Sequence, residues 1–130
     1  MKPGSTNMEK RIKMNSIKSQ IQEEELRRLI ELRFHLKKLL LRICFETEYT
    51  LNEFKRSCKK PEIADIRAAY FQIAKESFPD ASHSLIGSMI NRDHSTVTAG
   101  IKKVNDVKEV RKVYENLLAK LNESLLFKSE

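Results

Sequence analysis

The segment "SLIGSMINRDHSTVTAGIKKV" (84–104) decides how this chain folds. Apolar residues recur at helical spacing on both sides of Asn91: Leu85, Ile86 and Met89 precede it, and Val97, Ile101 and Val104 follow it. Asparagine tolerates left-handed backbone, and Asp93 or Ser95 can accept hydrogen bonds from the free N–H groups of a following helix. The segment therefore predicts a short helix through Ile90, a tight turn at Asn91 and a second helix.

Upstream of this segment, the sequence predicts further helices. Pro61 fits the first position of a helix that runs to about Ser77, because proline lacks only an N–H that is unpaired there. Its inward residues are Ile63, Ile66, Tyr70, Ile73 and Ala74. Pro79 forces a loop, after which Ser82 or Ser84 caps the short helix. Before Pro61, the sequence predicts a short turn of helix that carries Leu51 and Phe54, with Thr50 or Asn52 as its cap.

The two ends of the chain are predicted to be helical as well. Residues 1–22 read as a flexible tail, at 1–8, followed by a weak helix, because apolar residues are sparse there. Residues 23–45 predict an amphipathic helix that leads into the central domain. Residues 105–127 predict a C-terminal amphipathic helix.

Each terminal helix carries an apolar stripe with steps of three and four residues. The N-terminal stripe is Leu29, Leu32, Leu36, Leu39 and Ile43, broadened by Leu26, Ile30 and Leu40. The C-terminal stripe is Val107, Val110, Tyr114, Leu117 and Leu121. The stripes either pack on each other within one chain or, through residues 26–43 and 107–121, pair with a second copy or a helical partner.

Composition restricts the class of protein. The chain has 130 residues, of which 40% are hydrophobic and 33% charged, with only three glycines and three prolines. These values predict an all-α fold with one compact domain and an appendage. No run approaches the roughly 20 apolar residues of a membrane span. The start, "MKPGSTNMEK" (1–10), lacks the apolar core of a signal peptide, so we expect a cytoplasmic protein without membrane contact.

The positive charge is concentrated in the first half of the chain. Residues 1–60 hold 15 Lys/Arg against 8 Asp/Glu, whereas residues 61–130 hold 10 of each, so the first half carries the whole net charge of +7. The run "FKRSCKK" (54–60) contributes four of these charges. Such a run is either a solvated loop or a phosphate-binding segment, and charge alone does not decide between them.

The run "RDHSTV" (92–97) has residue types that are common in catalytic sites, but its geometry argues against catalysis. Neighbouring helix residues diverge by about 100°, so Asp93, His94 and Ser95 cannot align as a catalytic triad. The remaining candidate metal ligands show no ligand spacing: His35, His83, His94, Cys44 and Cys58. No "GxxxxGK[ST]" run is present. We therefore expect no enzyme activity, metal, cofactor or nucleotide.

The same residues suit a helix that reads DNA. In a helix-turn-helix, the second helix presents its N-terminal side chains to base edges in the major groove. The groups here that can bond base edges are those of Asp93, His94, Ser95 and Thr96. Arg92 is placed for a phosphate, and the helix N-termini near Ser84 and Asp93 present N–H groups that suit phosphate oxygens.

Several stretches in order resemble the C-terminal DNA-binding domain, domain IV, of the bacterial replication initiator DnaA. They are "IADIRAAYFQIAKE" (63–76), the Ile86–Gly87 pair, "RDHSTV" (92–97), and a lysine followed by valine at 103–104. "ICFETEYTLNEF" (43–54) and the basic loop take the places of the family's first helix and basic loop. The resemblance covers residues 40–105 and implies a helix-turn-helix of the Trp-repressor-like type.

The resemblance also implies roles for individual residues. Arg67 matches the family arginine that enters a minor groove, and Asp93, His94, Ser95 and Thr96 match the residues that read the major groove. The basic loop, which follows the DNA backbone, contains Lys55, Arg56, Lys59 and Lys60. Lys102 and Lys103 are candidates for phosphate contacts.

Two departures from the family pattern are visible. The gap "SMIN" (88–91) between the Ile-Gly pair and "RDH" is one residue shorter than is common in the family. The chain also has no ATPase motif ahead of the module. We expect a double-stranded DNA-binding protein with sequence specificity, in replication initiation and its regulation or in transcription control. The alternative is a protein-interaction or oligomerisation module with a weak DNA-binding domain.

Overall fold

The computed structural model describes the backbone of residues 3–56 and 60–128 and the side chains of residues 17–56 and 60–123. Those ranges contain no strand, and their regular elements are all α-helices. The helices are α1 (Pro3–Thr47), α2 (Leu51–Lys55), α3 (Pro61–Ser77), α4 (His83–Ser88), α5 (His94–Asp106) and α6 (Lys108–Lys128). The prediction of an all-α fold is confirmed.

The first of two compact units is Met1–Leu32, whose described backbone is the N-terminal part of α1. The helix includes Pro3, whereas the sequence predicts a tail over 1–8; residues 1 and 2 lie outside the described part. The large apolar side chains described as exposed in this unit are Ile17, Ile21, Leu26, Leu29 and Ile30. Leu26, Leu29 and Ile30 of the predicted stripe are therefore not buried within one chain, and for this part of the stripe pairing with a second copy or a helical partner stays a prediction.

The second unit, Arg33–Glu130, contains the core. Four stripe residues of α1 are buried here, Leu36, Leu39, Leu40 and Ile43, whereas Leu32 in the first unit is half-buried. All five predicted inward residues of α3 are buried as well: Ile63, Ile66, Tyr70, Ile73 and Ala74. On α6, the buried stripe is Val110, Tyr114, Leu117 and Leu121. Val107 is 36% exposed, because it separates α5 from α6.

Polar contacts connect α1, α3 and α6 within one chain. The Arg42 guanidinium donates to the Leu121 carbonyl at 2.6 Å. The Tyr114 hydroxyl donates to both carboxylate oxygens of Glu76, at 2.6 and 2.8 Å. Burial and this carboxylate raise the pKa of Tyr114 to about 12, so the phenol stays protonated and donates at neutral pH. In the second unit, the two terminal stripes are therefore buried inside a single chain.

The predicted helix starts are confirmed at three positions. Thr50 forms a capping box with Glu53, in which each side chain bonds the other residue's backbone N–H. Pro61 occupies the first turn of α3. The Ser82 hydroxyl accepts from the Leu85 N–H at 3.1 Å and caps α4. Among the described residues, no helix is long and apolar enough to cross a membrane.

Candidate functional site

The turn between α4 and α5 is fixed by its backbone. Asn91 has φ 58°, as its predicted tolerance of left-handed backbone requires. The Arg92 N–H donates to the Gly87 carbonyl at 2.9 Å, and the Asn91 N–H donates to the Ser88 carbonyl at 3.3 Å. This pair of bonds is the Schellman motif, which satisfies the last carbonyls of a helix. The turn predicted at Asn91 is confirmed, and these two hydrogen bonds and the left-handed backbone of Asn91 define its geometry.

Two glycines bring neighbouring elements close to this turn. A Cβ added at Gly87 would lie 2.5 Å from the Arg92 carbonyl oxygen and 2.8 Å from a methyl group of Val97. A Cβ at Gly100 would lie 2.6 Å from the Phe71 ring. Gly87 therefore lets α4 touch the start of α5, and Gly100 lets α5 approach α3. Both contacts fix where the N-terminal end of α5 lies.

Asp93 caps α5, as one of the two predicted alternatives. Its Oδ1 accepts from the Thr96 N–H at 2.9 Å and from the Thr96 hydroxyl at 2.8 Å. The bond from the Thr96 N–H, and then the bond from its hydroxyl, lower the pKa of the Asp93 carboxyl. This carboxylate is thus engaged in holding the helix start, although the resemblance places it among the base-reading residues.

The outer face of α5 is polar and open to solvent. Its exposed residues are His94, Ser95, Thr96, Thr98, Ala99, Lys102 and Lys103, whereas Val97, Gly100 and Val104 are buried. Three predicted reading residues and both predicted phosphate-contacting lysines lie on this outer face. The sequence interpretation left out Thr98 and Ala99, although helical spacing from Ser95 already indicates them.

Arg67 lies differently from the expected groove-entering side chain. It stands in the second turn of α3, is 7% exposed, and donates to the backbone carbonyls of Phe54, Glu53 and Arg56 at 2.9, 3.0 and 2.6 Å. The guanidinium therefore holds the end of α2. Its predicted entry into a minor groove stays a prediction, and in this structure the side chain binds the protein's own backbone.

Arg92 is half-buried and also binds backbone rather than standing free. Its guanidinium donates to the Arg56 carbonyl at 2.7 Å and to the Lys55 carbonyl at 3.2 Å. Bonds to the carbonyls of Ile90 and Asn91 complete its contacts. Arg67 and Arg92 thus meet at the same carbonyl oxygen, that of Arg56, and join the basic loop to the turn.

The remaining predicted residues lie around this junction. Lys55 is half-buried as the last residue of α2, Arg56 is its exposed C-cap, and Lys60 is the exposed N-cap of α3. Ser84 is exposed in the first turn of α4. Lys59 and Cys58 lie outside the described residues. A shallow groove between α3 and α5 has an apolar floor that includes Phe71, with charged residues along it: Arg67, Arg92 and Lys103.

Possible metal ligands are spread over the described residues. Within the described part of the chain, no three His, Cys, Asp or Glu side chains group so as to hold a metal ion. Comparison with protein-family models, with curated proteins and with solved structures finds no match to the chain.

Proposed function

We propose that this protein binds duplex DNA with sequence specificity, using α4, the turn and α5 as a helix-turn-helix. The observation that carries the proposal is the polar outer face of α5, which begins at a turn fixed by Asn91, Gly87 and the Asp93 cap. A helix presented in this way fits the width of a major groove. The resemblance of "RDHSTV" (92–97) to the DnaA motif supports the same interpretation.

The side chains of the outer face supply the chemistry for reading bases. The His94 imidazole and the Ser95 hydroxyl can bond base edges, and the Ala99 methyl can contact a thymine methyl. Lys102 lies two turns beyond Ser95 on the same face and can reach a guanine or a phosphate. Thr96 keeps an acceptor, because its hydroxyl proton is directed to Asp93. With this arrangement, α5 can contact several adjacent base pairs.

Basic residues around the end of α2 and the start of α3 supply the contacts that do not depend on DNA sequence. Lys55 and Arg56 end α2, Lys60 precedes α3, and the Lys55 and Arg56 carbonyls accept from Arg92, which stands just before α5. Arg67 binds the carbonyls at the end of α2 and so positions Arg56, whether or not its guanidinium also enters a minor groove as the resemblance implies. The biological setting that best fits a DnaA-like reading module is the initiation of replication or its regulation, with transcription control as the other role.

Selection of bound sequences from a random duplex pool tests this proposal. The wild type should enrich one motif, and His94→Ala should relax it at one or two positions at a cost of about 1–3 kcal/mol. Lys112→Ala is the control, since it removes an exposed lysine of α6, a helix that contributes no residue to the proposed face. A pool without any enriched motif would refute a sequence-specific reader, whatever the affinity for DNA.

A second function is favoured by one observation on α1. In the second unit, Leu41 is 50% exposed and Phe45 is 82% exposed, although both are large and apolar. Side chains of this kind often mark protein interfaces. If self-association is the main activity, the solution mass will exceed one chain, and a Leu41→Ser, Phe45→Ser double variant will return it to the monomer without changing DNA binding.

A further inference from the structure

A cleft in the second unit collects positive side chains from separate parts of the chain. Arg33 and Lys37 lie one turn apart on α1, and Lys55 is the last residue of α2. Met89 and Asn91, from the turn before α5, also line this cleft. We name it the basic cleft and define it by these five residues. The sequence does not indicate this cleft, because the role predicted for residues 26–43 is the packing or pairing of helices and not contact with DNA.

The charge of the basic cleft is not neutralised by neighbours. No carboxylate lines it, and within the described residues Arg33, Lys37 and Lys55 form no ion pair. A second cleft of the same unit has nearly the same volume, about 470 against 460 Å³, but is lined by Glu46, Glu48 and Glu62 with one lysine. The two clefts therefore differ in charge and not in size, so they favour ligands of opposite sign.

The basic cleft adjoins the proposed reading helix. Asn91, on its wall, is followed directly by Arg92, whose guanidinium donates to the Lys55 carbonyl at 3.2 Å. The next residue, Asp93, caps α5. The cleft thus continues the surface at the N-terminal end of α5. In a helix-turn-helix complex, the sugar-phosphate backbone that borders the major groove passes beside this end.

The geometry points to the basic cleft as a binding site for the phosphate backbone of duplex DNA. The inference rests on the proposed function and adds α1 as a contacting element. The Arg33 guanidinium can grip two phosphate oxygens with parallel N–H groups, while Lys37 and Lys55 act as point charges. The Asn91 amide adds a neutral donor, and Met89 gives the lysine stems an apolar surface to lie on.

The salt dependence of binding to a duplex tests this site. An Arg33→Ala, Lys37→Ala double variant should reduce the slope of log affinity against log salt by ~0.9 per lost phosphate contact, or roughly 2. Between 50 and 200 mM salt, its affinity should then fall about tenfold less than that of the wild type. The matched control is Lys108→Ala, Lys112→Ala, which removes the same charge at the same spacing from exposed positions of α6.

The outcomes separate this inference from the proposed function. A reduced slope in the first double variant alone, with the enriched motif unchanged, supports the site. Equal slopes in both double variants show an effect of net charge only and overturn it, as does an unchanged slope. If the pool enriches no motif, the reader proposal fails, yet the slope on a mixed-sequence duplex still decides whether the cleft binds phosphate. Absence of all duplex binding at low salt overturns both.

Discussion

The residues around the turn divide into two groups that the sequence alone does not separate. Arg67, Arg92 and Asp93 are charged, yet their side chains are held by the protein's own backbone. His94 and Ser95, which follow directly, are exposed on the outer face of α5. We call the first group, with Gly87, the framework, and the second the reading face. The comparison shows that a charged residue beside the proposed recognition helix, α5, can act by positioning it.

This division has a physical basis. The carbonyls at the end of a helix have no partner within the helix, and an arginine can satisfy several of them with one planar group. Arg67 and Arg92 do this for the end of α2, where their positive charge also suits the negative end of the helix dipole. Substitutions in the framework should therefore change stability, and substitutions on the reading face should change binding.

The largest expected effect is that of Arg67→Ala. It leaves the Phe54 and Glu53 carbonyls without a charged donor and the Arg56 carbonyl with Arg92 alone, at a cost of about 3 kcal/mol in the free energy of unfolding. Arg92→Ala should cost less, about 1–2 kcal/mol, because Arg92 is only half-buried and water can replace it. Urea unfolding followed by circular dichroism measures both. Equal, small losses for the two variants would contradict a structural role for Arg67.

Gly87→Ala should have the next largest effect. The added methyl group meets the Arg92 carbonyl and Val97, so the turn must shift, at a cost of about 2 kcal/mol. Gly100→Ala should also destabilise the fold, because the added methyl group would lie 2.6 Å from the ring of Phe71, which is buried in the core. A Gly87→Ala variant as stable as the wild type would show that the turn is not closely packed.

A smaller, pH-dependent effect is expected for Asp93→Asn. Its hydrogen bonds lower the pKa of the folded carboxyl below the unfolded value of about 3.9, so the carboxylate stabilises the fold above that pH. The stabilisation is lost as the pH falls through the lower, folded pKa. Asparagine also caps a helix but does not titrate. The difference in unfolding free energy between wild type and variant should shrink as the pH falls from 5 to 2. A difference that stays constant over this range would show that the Asp93 carboxylate does not stabilise the fold.

The sequence predicts the local structure well where the preference of a single residue, within a short stretch of chain, determines it. Asn91, Pro61 and Thr50 each have a conformational preference that a short stretch of chain satisfies, and the structure places each as expected. The apolar periodicity of α3 and α6 likewise predicts buried residues, because helical spacing directly determines which side chains share a face. These features need no knowledge of distant parts of the chain.

The features that were missed depend on contacts between distant segments. Arg67 binds carbonyls 11 to 14 residues away, and no local pattern distinguishes such an arginine from an exposed one. Leu29 belongs to the same periodic stripe as Leu36 but has no second helix to cover it within its unit. The basic cleft requires that α1, α2 and the turn meet, which the spacing within each of them does not show.

The smallest effect on stability is expected on the reading face. His94→Ala and Ser95→Ala remove exposed side chains whose functional groups make no described hydrogen bond, so each should change the free energy of unfolding by less than about 0.5 kcal/mol. Thr98→Ala is the informative neighbour, since its hydroxyl bonds the His94 carbonyl at 2.9 Å and also lies 2.8 Å from His83 Nδ1. Thermal unfolding of the three variants, measured together with duplex binding, distinguishes the two groups. A reading-face residue whose removal unfolds the protein belongs to the framework, and its loss of DNA binding would then report folding rather than base recognition.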